Sequence, residues 1–561
     1  MRKRENNGPL SVHAIAGSRV VLLGLDIDSD ARRNLLGFAL HRTDHNEDEA
    51  YWLKGFKTFE DTMPAIKPGT LVSTRDHPIQ SFLWGDYTAK PGYKYTYKVV
   101  PVYGKPKNLE ERDPVEVEVC TEQENVGEHA IFFNRGVAAS QAYSAKFGNK
   151  KPDKVANPKE AFEWLSRGLE EAILGFISKA NSPHYALRAA VYEFSYEPVL
   201  KALKDAASHG ADVKIIYDAR KGIEEPTATS EETIRKIGIK RLMIKREESK
   251  SYISHNKFIV LLKDDQPVEV WTGSTNFTKG GIFGQSNVGH LVRNTSTAKE
   301  YLDYWNRLAG DPKATELRTM NDQINPVPPD GSSGEIATIF SPRKSLEALE
   351  WYAKLLDRAT NSACFTAAFG VNNTLADVFM TPKGYPRYLF LESAGKTEDQ
   401  KGTVKGIMGT LHNHVAIGAN ISRDKMVIKD AMGFEVHRWL HENLTGFNTW
   451  VNYVHTKYML IDPLSNDPIT ISGSANFSDA STKNNDENML VIWKNTRVAD
   501  IYLGEFMRLF NHYYFRYVAN NSTYAAGSAE KSSTFITPDD SWIDRYFEKG
   551  SVDQKKRFLF R

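Results

Sequence analysis

Two histidines, His255 and His455, stand 200 positions apart in matching surroundings, each followed two residues later by a lysine, Lys257 and Lys457. The first block reads Ser254-His255-Asn256-Lys257-Phe258-Ile259-Val260, then Gly273-Ser274-Thr275-Asn276-Phe277-Thr278. The second reads Val454-His455-Thr456-Lys457-Tyr458-Met459-Leu460, then Gly473-Ser474-Ala475-Asn476-Phe477-Ser478, with the same spacing throughout (455 − 255, 457 − 257, 473 − 273). On a strand, residues two apart project from one face, so each block presents an imidazole beside an ammonium. That pair suits a phosphate. The lysine meets a nonbridging oxygen, and an imidazole with an ordinary pKa of about 6.5 can attack phosphorus or carry a proton near neutral pH. The glycine lets backbone approach a ligand, while Ser274, Ser474, Asn276 and Asn476 add hydroxyls and amides. A single His-x-Lys carries little weight; two in register, with matching tails, point to one site built twice.

Similar elements must hold the two blocks. Beyond the tails the shift becomes 201, and a helix marked by Ala298, Tyr301, Leu302, Trp305, Arg307 and Leu308 matches Ala499, Tyr502, Leu503, Phe506, Arg508 and Leu509. Two long copies, unlike the short units of a solenoid, predict a pseudo-twofold α-β-α core packed face to face. Within the first, residues 185–192 read as a strand, Pro198 opens a helix striped by Val199, Leu200, Leu203, Ala206 and Ala207, Gly210 ends it, and 213–217 form the next strand. This βαβ pattern predicts an α/β fold with a mainly parallel sheet. The stretch 325–334, Asn-Pro-Val-Pro-Pro-Asp-Gly-Ser-Ser-Gly, reads as a linker; after it Leu346, Leu349, Leu355 and Leu356 stripe a helix and 363–369 resume a strand.

Before the repeats the pattern is all-β. Runs 20–25, 35–41 and 79–84, and the alternation Tyr93, Tyr95, Tyr97, Val99, are separated by turns such as Pro91-Gly92 and Tyr103-Gly104, like a small immunoglobulin or fibronectin type III-like sandwich. Trp52, Trp84, Tyr93, Tyr95 and Tyr97 are assigned to its core rather than to a ligand platform. The expected units are a β-sandwich at 1–124, a first repeat at 125–324, the linker 325–334, a second repeat at 335–525 and a C-terminal extension at 526–561.

Composition sets the bounds. Hydrophobic residues at 41 % and charged residues at 25 % are ordinary globular values, which argue against a disordered or fibrous chain. Lys plus Arg number 72 against 70 for Asp plus Glu, so any phosphate-binding surface must be local. Cys120 and Cys364 are far apart and suggest neither a disulfide framework nor a zinc site. The basic N-terminus resembles the start of a signal peptide, but His13, Gly17, Ser18 and Arg19 break the apolar stretch after it. With no run of about 18 apolar residues, no membrane span is expected and the expected address is cytoplasmic.

His-x-Lys, four residues, Asp and then Gly-Ser-x-Asn resembles the signature of the phospholipase D superfamily, over roughly residues 125–520. The second copy fits, with Asp462 five residues after Lys457; the first has Leu262 there, with Asp264 and Asp265 displaced. The resemblance implies a two-step displacement without metal or cofactor, with His255 as nucleophile, His455 as acid, and Lys257, Lys457, Asn276 and Asn476 holding phosphoryl charge. Asp462 would be supportive. It also implies an acid after the tail that orients an imidazole. Copy two offers Glu487, in Asn485-Asp486-Glu487-Asn488, whereas copy one has Gln285-Ser286-Asn287. Glu487 is therefore expected on His455, leaving His255 without a carboxylate.

The tails and the following Asn-Asp-Glu-Asn-Met-Leu-Val-Ile look like the bacterial nuclease branch, which favours a nucleic acid substrate. A phospholipase D acting on phospholipids is the alternative, and an inert phosphate-binding module the third. Arg235-Lys236, Lys240-Arg241, Lys245-Arg246 and Lys250 could track a phosphate backbone, and Tyr252 and Tyr453 could stack on bases. Solvated surface and core packing explain these features equally well. The sandwich would then dock a protein partner.

Overall fold

The computed structural model describes residues 1–64, 70–136, 143, 146–148, 150–220, 226–248, 252–418, 454–521 and 535–561. Each repeat forms a seven-stranded sheet. The first comprises β1 (His129–Phe133), β2 (Tyr185–Val191), β3 (Asp212–Asp218), β4 (Met243–Arg246), β5 (Lys257–Lys263), β6 (Gln266–Gly273) and β7 (Val288–Val292), in the order β1-β7-β6-β5-β2-β3-β4. The second comprises β8 (Ile336–Ser341), β9 (Ala363–Ala367), β10 (Arg387–Leu391), β11 (Asn413–Ile417), β12 (Tyr458–Ile461), β13 (Ile469–Gly473) and β14 (Glu487–Trp493), in the order β8-β14-β13-β12-β9-β10-β11. Strand for strand the two orders are the same.

Helix α1 (Glu197–Ser208) makes the expected crossover between the parallel strands β2 and β3. The sheet is nevertheless mixed rather than mainly parallel, since β1-β7-β6-β5-β2 pair antiparallel. The cause is local. Asp264 and Asp265 both take positive φ, 48° and 62°, closing a tight two-residue hairpin between β5 and β6 that permits only antiparallel pairing.

Two amphipathic helices lie between the sheets. Tyr301, Tyr304, Trp305 and Leu308 of α2 (Thr295–Ala309) pack on Phe258, Val260 and Val270 of their own sheet and on Phe340 and Leu490 of the other repeat. Reciprocally, Tyr502, Phe506 and Phe510 of α3 (Thr496–Asn521) pack on Tyr388, Phe390 and Tyr458 and on Ile131, Phe133 and Val288 of the first repeat. At about 1.5–3 kcal/mol for each large apolar side chain buried, this shared core ties the repeats together. Isolated bridges then join them strand end to strand end, Ser254 to Asp486 and Val454 to Ser286, related by the same 200-residue shift (454 − 254, 486 − 286).

The N-terminal part is two facing sheets. One comprises Arg2–Asn7, Leu10–Ala16, Val21–Ile27 and Leu83–Asp86; the other Leu35–Asp44, Glu49–Trp52, Lys94–Lys105, Asn108–Glu111 and Val115–Cys120. Tyr95, Tyr97 and Val99 fill the core between them, Tyr93 and Trp84 pack against it, and Trp52 joins a smaller cluster with Val100. The strand expected at 79–84 begins only at Leu83, and Ile79 makes an isolated bridge to Phe38. The C-terminal residues return to this sandwich. Trp542 and Tyr546 enter its core, and α4 (Val552–Phe560) lies so close that a Cβ on Gly24 would sit 1.9 Å from the Phe560 carbonyl oxygen. Among the described residues no helix is long and apolar enough to cross a membrane.

Candidate active site

The two histidines precede β5 and β12, where the sheets meet. Asp218, at the end of β3, accepts from the Ser254 N–H at 3.1 Å, and Glu392, just after β10, accepts from the Val454 N–H at 2.8 Å. The next backbone group reaches across the pseudo-twofold. His255 N–H donates to the Asp486 carbonyl at 3.0 Å and His455 N–H to the Ser286 carbonyl at 3.2 Å. Each histidine is thus fixed by a carboxylate of its own repeat and by backbone of the other.

The side chains follow the same crossing, which corrects the expected pairing. Glu487 lies on His255, its oxygens 2.9 and 3.0 Å from Nδ1, while Nδ1 of His455 lies 2.9 Å from Oδ1 of Asn287. The physical reason is the inter-repeat bridges, which carry the start of β14 to His255 and the residues before β7 to His455. Each tail serine holds one of these partners. Ser474 Oγ donates to Glu487 at 2.6 Å and Ser274 Oγ to Asn287 Oδ1 at 2.8 Å. Asn287 Nδ2 donates to the Gly281 carbonyl, so its Oδ1 faces His455. Both partners are acceptors, so Nδ1 of each neutral histidine carries the proton and Nε2 the lone pair.

The tail glycines do something other than expected. A Cβ on Gly273 would lie 2.2 Å from the Val288 carbonyl oxygen and one on Gly473 2.2 Å from that of Asn488, so their bareness admits the neighbouring strand. Lys257 and Lys457 are buried, their Nζ atoms donating to the carbonyls of His255 and His455 at 2.5 and 2.6 Å. Asn276 Nδ2 donates to Glu193 at 2.6 Å. The Oδ1 atoms of Asn276 and Asn476 are buried without a hydrogen-bond partner in the protein. Tyr192 packs edge-on against His255, ring centroids 5.1 Å apart. Sequence reasoning missed Glu193, Tyr192, Asp218 and Glu392. It noticed Asn287 only as a missing acid, although an amide oxygen also fixes a tautomer.

Burial dominates the electrostatics. It lowers His255 to about 4, with the Glu487 carboxylate opposing. It drives His455 well below the usual histidine range, and the charges of Lys457, Lys257 and His255 push further the same way. Burial lowers Lys257 to about 7 against Glu487 and Glu193, and depresses Lys457 strongly, with Lys257 adding to the effect. Burial alone would raise Glu487, but His255 and Lys257 outweigh it and keep the carboxyl below its ordinary value. Bringing an anion among these depressed cations would favour their charged forms.

Asp462 stands outside this cluster. With φ 46° it accepts from the backbone N–H groups of Thr360, Asn361 and Ser362 at 2.9, 2.6 and 2.9 Å, tying the turn before β9 to the end of β12. In the first repeat Leu262 lies within β5, and the neighbouring Asp264 pairs with His184 at 2.7 Å. Asp462→Ala is therefore expected to cost about 1–3 kcal/mol through orphaned donors, lowering the thermal midpoint by several degrees. The catalytic rate at a permissive temperature should change by less than about twofold, because no group of the cleft loses a partner. Thermal unfolding and turnover on the same sample check this.

The basic run is not a continuous track. Arg246 is fully buried, with Nε 3.0 Å from Asp486 and an Nη 2.7 Å from Asp311, and Asp486 also accepts from Ser254 Oγ at 2.8 Å; it buttresses the backbone behind His255. Lys236 pairs with Glu197 and Lys245 with Glu231. Arg235, Lys240 and Arg241 are exposed. Tyr252 lies beneath the Arg318 guanidinium at 5.6 Å, whereas Lys250 and Tyr453 fall outside the described residues.

The family model for the cardiolipin synthase, PLD-like domain matches residues 175–309 and 391–510, segments holding both histidines. No curated protein sequence matches the chain. Among solved structures, it resembles polyphosphate kinase from Porphyromonas gingivalis at 12 % identity and TM-score 0.36, over 59 % of this chain, and spans only 46 % of that protein's length. Phosphatidylserine synthase from Haemophilus influenzae Rd KW20 is similar at 13 % identity and TM-score 0.41, over 62 % of this chain and 85 % of that one. Nuc from Salmonella typhimurium, a phospholipase D family member, is similar at 16 % identity and TM-score 0.23, over 32 % of this chain and 95 % of that one.

Proposed function

The chain belongs to the phospholipase D superfamily, and from that premise we propose that it hydrolyses a phosphodiester in two displacements, His255 acting as nucleophile and His455 as general acid, with nucleic acid favoured over phospholipid as substrate. The crossed pairing of the histidines carries this assignment. Attack by His255 Nε2 forms an N–P bond and leaves a cationic ring whose Nδ1–H faces the Glu487 carboxylate at 2.9 Å, so the phosphohistidine is electrostatically compensated. His455 acts in its cationic form, which the bound phosphodiester anion favours, and as the P–O bond breaks the leaving oxygen takes the proton from its Nε2. Asn287 fixes that ring but, being neutral, does little to stabilise its charge, which suits a proton donor. His455 then takes a proton from water, whose oxygen displaces His255 from phosphorus. Lys257, Lys457, Asn276 and Asn476 would hold the nonbridging oxygens, and no step invokes a metal or cofactor.

The surface beginning at Lys279, three residues past Asn276, supports a nucleic acid. There cations lie over partly buried rings, Lys279 4.5 Å over Phe162, Arg135 4.0 Å over Trp164 and Lys146 5.5 Å over Phe147, with Lys279 also paired to Asp153 and Lys146 to Glu160, a mixture of rings and charge that is compatible with a nucleic acid. The sandwich, read as fibronectin type III-like, is the part available to a protein partner. Labelled oligonucleotides and phosphatidylcholine vesicles, each incubated with EDTA and with wild type, His255→Ala or His455→Ala, separate the readings. Strand cleavage that persists in EDTA and is lost in both variants is expected. Choline release without strand cleavage would replace nucleic acid by phospholipid, and turnover of neither would leave a phosphate-binding module.

A further inference from the structure

The pseudo-twofold fails at the two sides of the cleft. Val191 lies opposite Lys257 in the β2–β5 pair, and continuing the β9–β12 register from Phe365 opposite Met459 puts Ala367 opposite Lys457. Tyr192 and Glu193 therefore correspond to Ala368 and Phe369. In the parallel pairs Val191 lies beside Tyr217 and Ala367 beside Leu391, which makes Ala394 the counterpart of Arg220. One side carries a phenol, a carboxylate and a guanidinium where the other carries Ala, Phe and Ala.

The first set adjoins the paired histidines and lysines directly. Tyr192 touches His255, Glu193 holds Asn276 and its charge raises the pKa of both lysines, and Arg220 Nε is 2.8 Å from Asp218, the residue that fixes the Ser254 backbone. On the other side, Val371 packs into the second repeat's core and Asn372 Nδ2 donates to Asp479 at 2.5 Å, three residues past Asn476. These anchors hold the loop beside Asn476, yet Phe369 remains 48 % exposed. A half-exposed aromatic residue thus stands at the position matching Glu193, the residue that holds Asn276 in the first repeat.

We propose that the cleft is polarised: the half of the diester retained on phosphorus is polar, with hydroxyl donors for Glu193 and oxygen acceptors for Arg220, and lies along Tyr192, Glu193 and Arg220, whereas the leaving alcohol carries an apolar or aromatic group that packs on Phe369. This rests on His255 being the nucleophile. Attack in line puts the leaving oxygen opposite His255 Nε2, on the side of His455 and Phe369. The N–P bond forms at His255, the P–O bond opposite it breaks, and the leaving alcohol departs with the proton from His455.

Two diesters that share a glyceryl half, glyceryl 2-naphthylmethyl phosphate and glyceryl methyl phosphate, test the proposal. Wild type is expected to release naphthylmethanol and glycerol phosphate. Phe369→Ala should lower kcat/KM for the naphthylmethyl diester about tenfold, chiefly through KM, and for the methyl diester about twofold or less, with Phe369→Leu intermediate. Leu411→Ala, at another exposed apolar position, should leave the ratio between the two diesters unchanged. Equal losses on both diesters, release of glycerol in place of naphthylmethanol, or cleavage of oligonucleotides or vesicles but of neither small diester would overturn the proposal. Wild type that turns over no phosphodiester at all would instead defeat the proposed function on which it rests.

Discussion

Protein quenched in alkaline denaturant during turnover should carry the retained phosphoryl half of the diester on His255, and His455→Asn should raise the fraction trapped while turnover falls by at least about 10³-fold. The contrast depends on the leaving group. With a nitrophenyl diester the departing oxygen needs little protonation, so the variant still forms the N–P bond. It then lacks the base that takes a proton from water, and the intermediate accumulates. His255→Asn should lose a comparable share of turnover and trap nothing. The asymmetry follows from the partners: a carboxylate 2.9 Å from Nδ1 compensates a phosphorylated, cationic ring at His255, whereas the amide at His455 offers no charge. Mapping the modified peptide by mass spectrometry decides between them, and phosphate on His455 would reverse the assignment.

Much of this site is legible in the sequence because duplication kept it in register. His255, Lys257, Ser274 and Asn276 and their partners in the second copy are named by spacing alone, and all stand where the two sheets meet. The aromatic alternation before the repeats also reads correctly, since Tyr95 and Tyr97 turn inward as period two requires. Contacts that cross the twofold are hidden. Glu487 is nearer in sequence to His455 than to His255, yet it binds the histidine 232 residues away because packing of the repeats, rather than chain proximity, delivers it. Arg246 counts as a surface charge until Asp311 and Asp486, 65 and 240 residues away, are seen to bury it. A βαβ signal likewise fixes the three strands it joins and says nothing of the hairpin strands beside them.

Glu487→Gln should lower kcat by about 10²-fold and shift the pH profile of kcat/KM toward acid. Glutamine preserves the shape but has one acceptor oxygen where Glu487 uses two, taking His255 Nδ1 on both and Ser474 Oγ on one. If the amide turns its NH2 to His255, the proton moves to Nε2 and the attacking lone pair is lost. Charge acts in the same direction. The carboxylate raises the pKa of His255, about 4, and that of Lys257, about 7, so removing it lowers both. Activity requires His255 unprotonated and both Lys257 and the acid His455 protonated, so the acid limb moves to lower pH with His255 and the alkaline limb moves the same way through Lys257. A merely structural role for Glu487 would reduce turnover and leave both limbs in place. Asn287→Asp supplies the opposite control: a carboxylate on His455 raises that histidine's pKa, strengthens its hold on the proton, and should slow diesters with poor leaving groups more than nitrophenyl diesters.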